Sequence, residues 1–155
     1  MISDFLILII CFLGIYVGLL IGWMAKEELK QGKKYFVILL KSLFVLIIFF
    51  IFYELGLEIL AYISLVVIGL LLFSLKESYE QLLFYASAIL LFISLIYDSL
   101  IVPGLVFLMG FPIGTLYLYK KKKKAWLLIK GLFIEYYWFL IIIVVLMAIK
   151  IIFIN

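Results

Sequence analysis

Long apolar segments alternate with short polar stretches along the whole chain. A bilayer core of about 30 Å is crossed by roughly 20 apolar helical residues, and segments close to this length recur from end to end. The pattern predicts an all-α fold, a polytopic transmembrane helical bundle of six spans. The predicted spans cover residues 3–24, 35–54, 58–75, 81–98, 101–119 and 130–150.

The fourth and fifth spans come from one almost uninterrupted apolar run, from Leu82 to Tyr119. As a single helix this run would be about 57 Å long, roughly twice the thickness of the hydrocarbon layer. Residues that favour a turn cluster in DSLIVPG, between Asp98 and Gly104. We therefore expect the chain to reverse there, with Asp98 at a turn that faces water.

The composition indicates that the solvent is lipid. Hydrophobic residues make up 70% of the 155 residues, more than a soluble core of this length could bury. We interpret residues 1–155 as a single integral membrane domain. The chain has one cysteine, Cys11, and no histidine, so we expect no metal site, no cofactor and no catalytic centre.

The lysines predict an orientation, because basic residues near helix ends are retained on the cytoplasmic side. With six spans, twelve of the thirteen lysines fall on one side, and Lys150 is the exception. Both termini are then expected outside the cell membrane, with the basic loops in the cytoplasm. One span more or fewer between the basic loops would put them on opposite sides, which this rule disfavours.

A stripe of small residues lies on the first predicted span. Gly14, Gly18 and Gly22 are spaced four residues apart, so they share one helix face that another backbone can approach closely. The stripe is either a dimer interface or the packing interface for another helix of the same chain. Five other helices are available, so we favour the internal interface.

Three charged residues are expected within or near the inner leaflet. A lysine stem, as in Lys41 and Lys130, can reach the interface, whereas the shorter side chain of Glu135 needs a partner. We expect Glu135 to pair with Lys41 or Lys130, which lie at similar depth. The pair is either an orienting ion pair or part of a proton- or cation-linked site.

An acidic cluster is predicted on the opposite side. Glu54 and Glu58 have helical spacing and could approach Asp98. Three carboxylates can collect a hard cation through oxygen ligands. Acidic outer loops are also what remains when the lysines are kept inside.

The fifth span contains GFPIGT, with Pro112 between two glycines. Proline removes a helical hydrogen bond and clashes with the preceding turn, so we expect a kink at Pro112. Broken helices of this kind expose carbonyl groups in some transporters, but they also shape bundles.

The longest basic run joins an apolar stretch. Five lysines, each near the membrane surface, are expected to bind anionic headgroups together with Trp126. The lysines are Lys120, Lys121, Lys122, Lys123 and Lys124.

The string AKEELKQGKKYF, Ala25 to Phe36, together with the glycine stripe before it, resembles a segment of small uncharacterised multi-span membrane proteins of archaea. The resemblance implies a prokaryotic cell-membrane location. It implies no activity and transfers no functional residue.

The leading hypothesis is a non-enzymatic integral membrane protein that acts through helix packing, as a subunit or scaffold of a membrane assembly. The alternative is a small transporter or ion-conducting protein that uses Glu135, Lys41 and the outer carboxylates. A scaffold should have a dry interior, whereas a transporter needs a polar cavity at membrane depth. The expected partners are anionic lipid headgroups at the cytoplasmic face and a membrane protein or second copy, but no nucleic acid.

Overall fold

The computed structural model describes residues 2–25, 27, 29–74, 79–97, 99–121 and 125–153. These residues form six helices, so the predicted all-α class is confirmed. The helices are α1 (Ile2–Met24), α2 (Leu29–Glu54), α3 (Glu58–Ser74), α4 (Glu80–Ile96), α5 (Ile101–Lys120) and α6 (Ala125–Phe153). Several residues used in the sequence analysis lie outside the described residues: Lys26, Lys76, Asp98, Lys122, Lys123 and Lys124.

Two of the connections are tight turns. The turn between α2 and α3 contains Gly56 at a φ of 72°, a conformation that side chains disfavour. The turn between α4 and α5 begins where the N–H groups of Tyr97 and Ser99 both donate to the carbonyl of Ser94. The chain therefore reverses within the segment that the sequence predicted.

Four helices are long and apolar enough to cross a membrane: Asp4–Met24, Gln31–Glu54, Ile101–Lys120 and Trp126–Lys150. The other two, α3 and α4, are apolar but have 17 residues each. A helix of that length measures about 25 Å, slightly less than the hydrocarbon layer. The structure thus supports a membrane protein in which these four helices are the candidate spans.

Contacts between helix ends show how the helices are directed. The start of α4 meets the end of α5 where Glu80 contacts Lys120 at 2.9 Å. The start of α1 meets the end of α6, where Asp4 and Lys150 lie 3.9 Å apart. α4 and α5 therefore run in opposite directions, and so do α1 and α6. We call the end that holds Glu80 and Lys120 the basic end, and the end that holds Asp4 the acidic end.

The centre of the bundle is α5, which packs against α1, α2 and α4. One face of α5 is buried along its whole length, as shown by Val102, Val106, Met109, Ile113 and Leu116, each at most 1% exposed. Of the four long apolar helices, α5 has the largest buried share. A helix with protein on several sides has little lipid-facing surface.

The contact between α1 and α5 is made by two glycine stripes. A Cβ atom on Gly18 would lie closer than 3.0 Å to the backbone of Phe111, and one on Gly114 would lie 2.8 Å from the carbonyl carbon of Gly18. The stripe of Gly14, Gly18 and Gly22 is therefore occupied by α5 of the same chain. The nearest residues on α5 are Phe107 for Gly14, Phe111 for Gly18 and Thr115 for Gly22. Both series advance by four residues in the same direction, so α1 and α5 are parallel.

Two polar groups support this close approach. The hydroxyl of Thr115 lies 3.0 Å from the carbonyl of Gly18 and 2.8 Å from that of Phe111, so it donates to one or the other. The Cys11 thiol donates to the carbonyl of Pro103 at 3.3 Å. The thiol bond therefore crosses from α1 to the backbone of α5, and the Thr115 hydroxyl of α5 is within hydrogen-bond distance of the backbone of α1.

Pro112 lies buried within α5, and the helix continues on both sides of it. Proline has no N–H, so the carbonyl of Leu108 lacks its usual helical donor. Leu108 is on the outer face, with 43% of its side chain exposed. The glycines on either side of Pro112 face α1, so this segment contributes to helix packing.

We expect replacement of Gly18 by alanine to lower stability sharply. The added methyl group would overlap the Phe111 backbone, which cannot move without separating α1 from α5. Overpacking of this kind costs about 1–3 kcal/mol. Thermal unfolding in mild detergent measures the effect.

The matched control is Gly69→Ala in α3, where an added Cβ meets no atom within 4 Å. Alanine also has the higher helix propensity, so this variant should be as stable as the parent or more so. Equal loss of stability in both variants would contradict the assigned contact.

Candidate functional site

A polar cleft opens at the basic end of the bundle, where α4 begins and α5 ends. Its volume is about 330 Å³. The side chains that line it come from three helices and from the residues next to them: Tyr79, Glu80, Gln81, Leu82, Tyr117, Lys120, Lys121, Glu135 and Tyr136. Two carboxylates and two ammonium groups therefore share one cleft.

Glu135, on α6, joins the other two helices of the cleft. One carboxylate oxygen pairs with the Lys121 ammonium, and the other accepts a 2.8 Å bond from the side-chain amide of Gln81. The hydrogen bond to Glu135 raises the pKa of Lys121 above its usual value. Glu135 thus links α6 to the start of α4 and to the end of α5.

Glu80 forms the second ion pair, with Lys120 at 2.9 Å. The carboxylate is only 4% exposed, whereas the Lys120 side chain is 51% exposed. Glu80 lies in the first turn of α4, where the helix dipole favours negative charge. The buried acid therefore has support from an ammonium group and from its own helix.

Aromatic rings close the floor of the cleft toward the centre of the bundle. Tyr136 packs edge-on against Phe84 at 5.7 Å, and Phe84 stacks on Phe139 at 4.2 Å. These three side chains are 2% exposed or less. Tyr85 donates a 2.6 Å bond to the backbone carbonyl of Glu135, which fixes α4 against α6. The polar cleft therefore ends on a packed apolar layer.

The predicted partner of Glu135 was wrong. Its carboxylate pairs with Lys121 instead of Lys41 or Lys130. Lys130 lies on α6 itself and is exposed, while Lys41 is 5% exposed on α2, a helix that packs on α3, α4 and α5. Lys121 reaches Glu135 because α5 ends beside α6 at the basic end.

At the acidic end, the Ser99 hydroxyl donates to one oxygen of Glu54. The other Glu54 oxygen is buried and has no hydrogen-bond partner among the described residues. Glu58 is exposed at the start of α3, and Asp98 lies outside the described residues. Within the described part of the chain, no group of three acidic, cysteine or histidine residues could hold a metal ion.

The predicted lipid-surface residues that the structure describes are Lys120, Lys121 and Trp126. Lys120 and Lys121 form the ion pairs of the cleft, and Lys121 also lies 5.0 Å from the centre of the Tyr117 ring. Trp126 is 74% exposed near the start of α6, as an interfacial anchor would be. Lys122, Lys123 and Lys124 are outside the described residues.

Glu80, Gln81 and Tyr117 are site residues that the sequence reasoning missed. The first two are adjacent polar residues where an apolar helix begins. Such a position is ordinary for a solvated helix end, so it gave no sign of a site. Their role depends on the end of α5, which is close to them only in the folded bundle.

Comparisons with protein-family models, with curated proteins and with solved structures found no match for this chain.

We expect Glu135 and Lys121 to be energetically coupled. Both side chains are partly exposed, so a double-mutant cycle with Glu135→Gln and Lys121→Gln should give about 0.5–1 kcal/mol. Denaturant unfolding in mixed micelles measures the four free energies.

The control cycle pairs Glu135→Gln with Lys130→Gln, which removes an exposed lysine of the same helix. Its coupling should be close to zero. Coupling to Lys130 as large as coupling to Lys121 would contradict the assigned pair.

Proposed function

We propose that the protein is a non-enzymatic integral protein of the cell membrane, a helix-packing subunit or scaffold of a membrane assembly. The observation that carries this proposal is the exposure of α3. This helix packs on α2, and Ala61 and Ser64 are its buried residues. Most of its other described residues are apolar and exposed, although Leu72 packs against the core of the bundle.

Two properties of α3 favour a protein neighbour over lipid alone. Its 17 residues are short for the hydrocarbon layer, and a short span relieves this mismatch by associating with other helices. An added Cβ on Gly69 would meet nothing within 4 Å, so the backbone is open to a close approach there. The glycine stripe of α1 is not free for this purpose, because α5 occupies it.

The proposed topology has six crossings, with both termini outside and the basic end in the cytoplasm. Support comes from the contact between Glu80 and Lys120, which puts the start of α4 at the basic end. With four crossings, a hairpin of α3 and α4 would remain on the outer side and could not bring Glu80 there. The lysines of the basic end would then contact anionic headgroups in the cytoplasmic leaflet.

A small transporter or ion-conducting protein is the alternative, and the charged cleft is the observation that favours it. Transport would require a polar path from the cleft toward the acidic end. The stacked rings of Phe84 and Phe139 lie across that path. The geometry therefore supports the packing role better.

We expect single-cysteine variants, made in a Cys11→Ser background, to report the number of crossings. Tyr79→Cys should be protected from an impermeant maleimide on intact cells, because six crossings put this exposed residue in the cytoplasm. Glu58→Cys should be labelled and Lys34→Cys protected until lysis. Labelling of Tyr79→Cys from outside would indicate four crossings instead.

We expect purification from the native membrane in mild detergent to recover a companion in fixed stoichiometry. Gly69→Ile should reduce its recovery several-fold, because the larger side chain blocks close approach to α3. The control is Ala148→Ile, which enlarges an exposed position on α6. Recovery of a monomer alone, or equal loss with both variants, would argue against the scaffold role.

A further inference from the structure

The cleft differs from the rest of the basic end in its charge balance. Two lysines and two glutamates contribute to it, so its formal charge is zero. The whole chain has a net charge of +4 and the neighbouring lysine run is strongly basic. A basic surface attracts any anion, whereas a balanced cleft suits a ligand that carries both signs.

Donors and acceptors remain available after the ion pairs have formed. Each lysine ammonium has three N–H donors. Lys120 gives one to Glu80, and Lys121 gives one to Glu135 and also bonds to the Tyr117 side chain. Gln81 donates to Glu135 through its amide nitrogen, which leaves the amide oxygen as an acceptor. An oxyanion can therefore bind at Lys120 and Lys121 while a cationic group binds beside Glu135 and Gln81.

The position of the cleft indicates the source of such a ligand. It lies where α4 begins and α5 ends, which is the headgroup level in the membrane orientation proposed above. Leu82 borders the cleft and is 64% exposed, and Ile89, two helical turns further along the same face, is 49% exposed. A molecule with its polar part in the cleft could lay an apolar chain along this face.

We propose that the cleft binds the headgroup of a zwitterionic phospholipid, with the phosphate at Lys120 and Lys121 and the ammonium group at Glu135. The volume of about 330 Å³ lies at the lower end of the range for small-ligand sites. A purely anionic headgroup would add negative charge beside Glu80 and Glu135 and bring no cation of its own, while Lys120 and Lys121 are already paired with these two carboxylates. The inference rests on the proposed membrane embedding but not on the scaffold role.

Native mass spectrometry of the full chain in detergent tests this site, with phosphatidylethanolamine and phosphatidylglycerol supplied at equal concentration. We expect the parent protein to retain the ethanolamine lipid preferentially. Glu135→Gln removes one negative charge from the cleft, so the ratio of ethanolamine lipid to glycerol lipid should fall by about fivefold. Glu27→Gln removes an exposed carboxylate outside the cleft and should leave the ratio unchanged.

Three results would overturn the proposal. They are equal retention of the two lipids by the parent protein, an equal fall of the ratio in Glu27→Gln, and displacement of the lipid by soluble glycerophosphoethanolamine at matched concentration. The last result would indicate a soluble ligand.

A second variant tests the site if Glu135→Gln fails to fold: Lys120→Gln changes a half-exposed side chain of the cleft. It should weaken retention of the ethanolamine lipid more than Lys34→Gln, an exposed lysine outside the cleft, and an equal effect would also overturn the proposal.

Discussion

The facing positions of α1 and α5 are glycines, which have no side chain, so the two backbones lie in direct contact. Burial of apolar surface gives little driving force between helices in lipid, which leaves close packing and interhelical hydrogen bonds to hold them. The Cys11 thiol of α1 donates such a bond to the carbonyl of Pro103 on α5, and the Thr115 hydroxyl of α5 lies 3.0 Å from the Gly18 carbonyl of α1. This contact fixes α5 at the centre of the bundle, and α2 and α4 pack on the sides of α5 that remain.

The end of α5 determines where the charges meet. Lys120 and Lys121 are consecutive but contact different helices. Lys120 pairs with Glu80 at the start of α4, and Lys121 pairs with Glu135 on α6. Beneath them, Tyr136, Phe84 and Phe139 fill the space between α4 and α6. The cleft therefore forms because the start of α4 and the end of α5 lie close together beside α6, and the packed rings close it on the side of the bundle centre.

The number of helices and the reversal between α4 and α5 could be predicted because apolar length and turn residues are local properties of the sequence. The partner of Glu135 could not be predicted from such local properties. Depth in the membrane suggested Lys41 and Lys130, but depth says nothing of which helices are neighbours. Gln81 and Glu80 were missed for the same reason, since a polar residue at a helix start looks the same with or without the end of another helix beside it. The six-crossing topology remains a prediction because α3 and α4 are short.

The lysines of the basic end serve two physical requirements at once. Their positive charge favours the cytoplasmic side, and this requirement depends only on where they stand in the sequence. In the folded bundle, Lys120 and Lys121 also neutralise two acids, of which Glu80 is almost fully buried. A buried carboxylate without such a partner would be costly, so the ion pairs tie the orientation of the chain to the packing of α4 and α6 on α5. The positive charge that the sequence predicts to orient the helices thus also holds α4 and α6 to the end of α5.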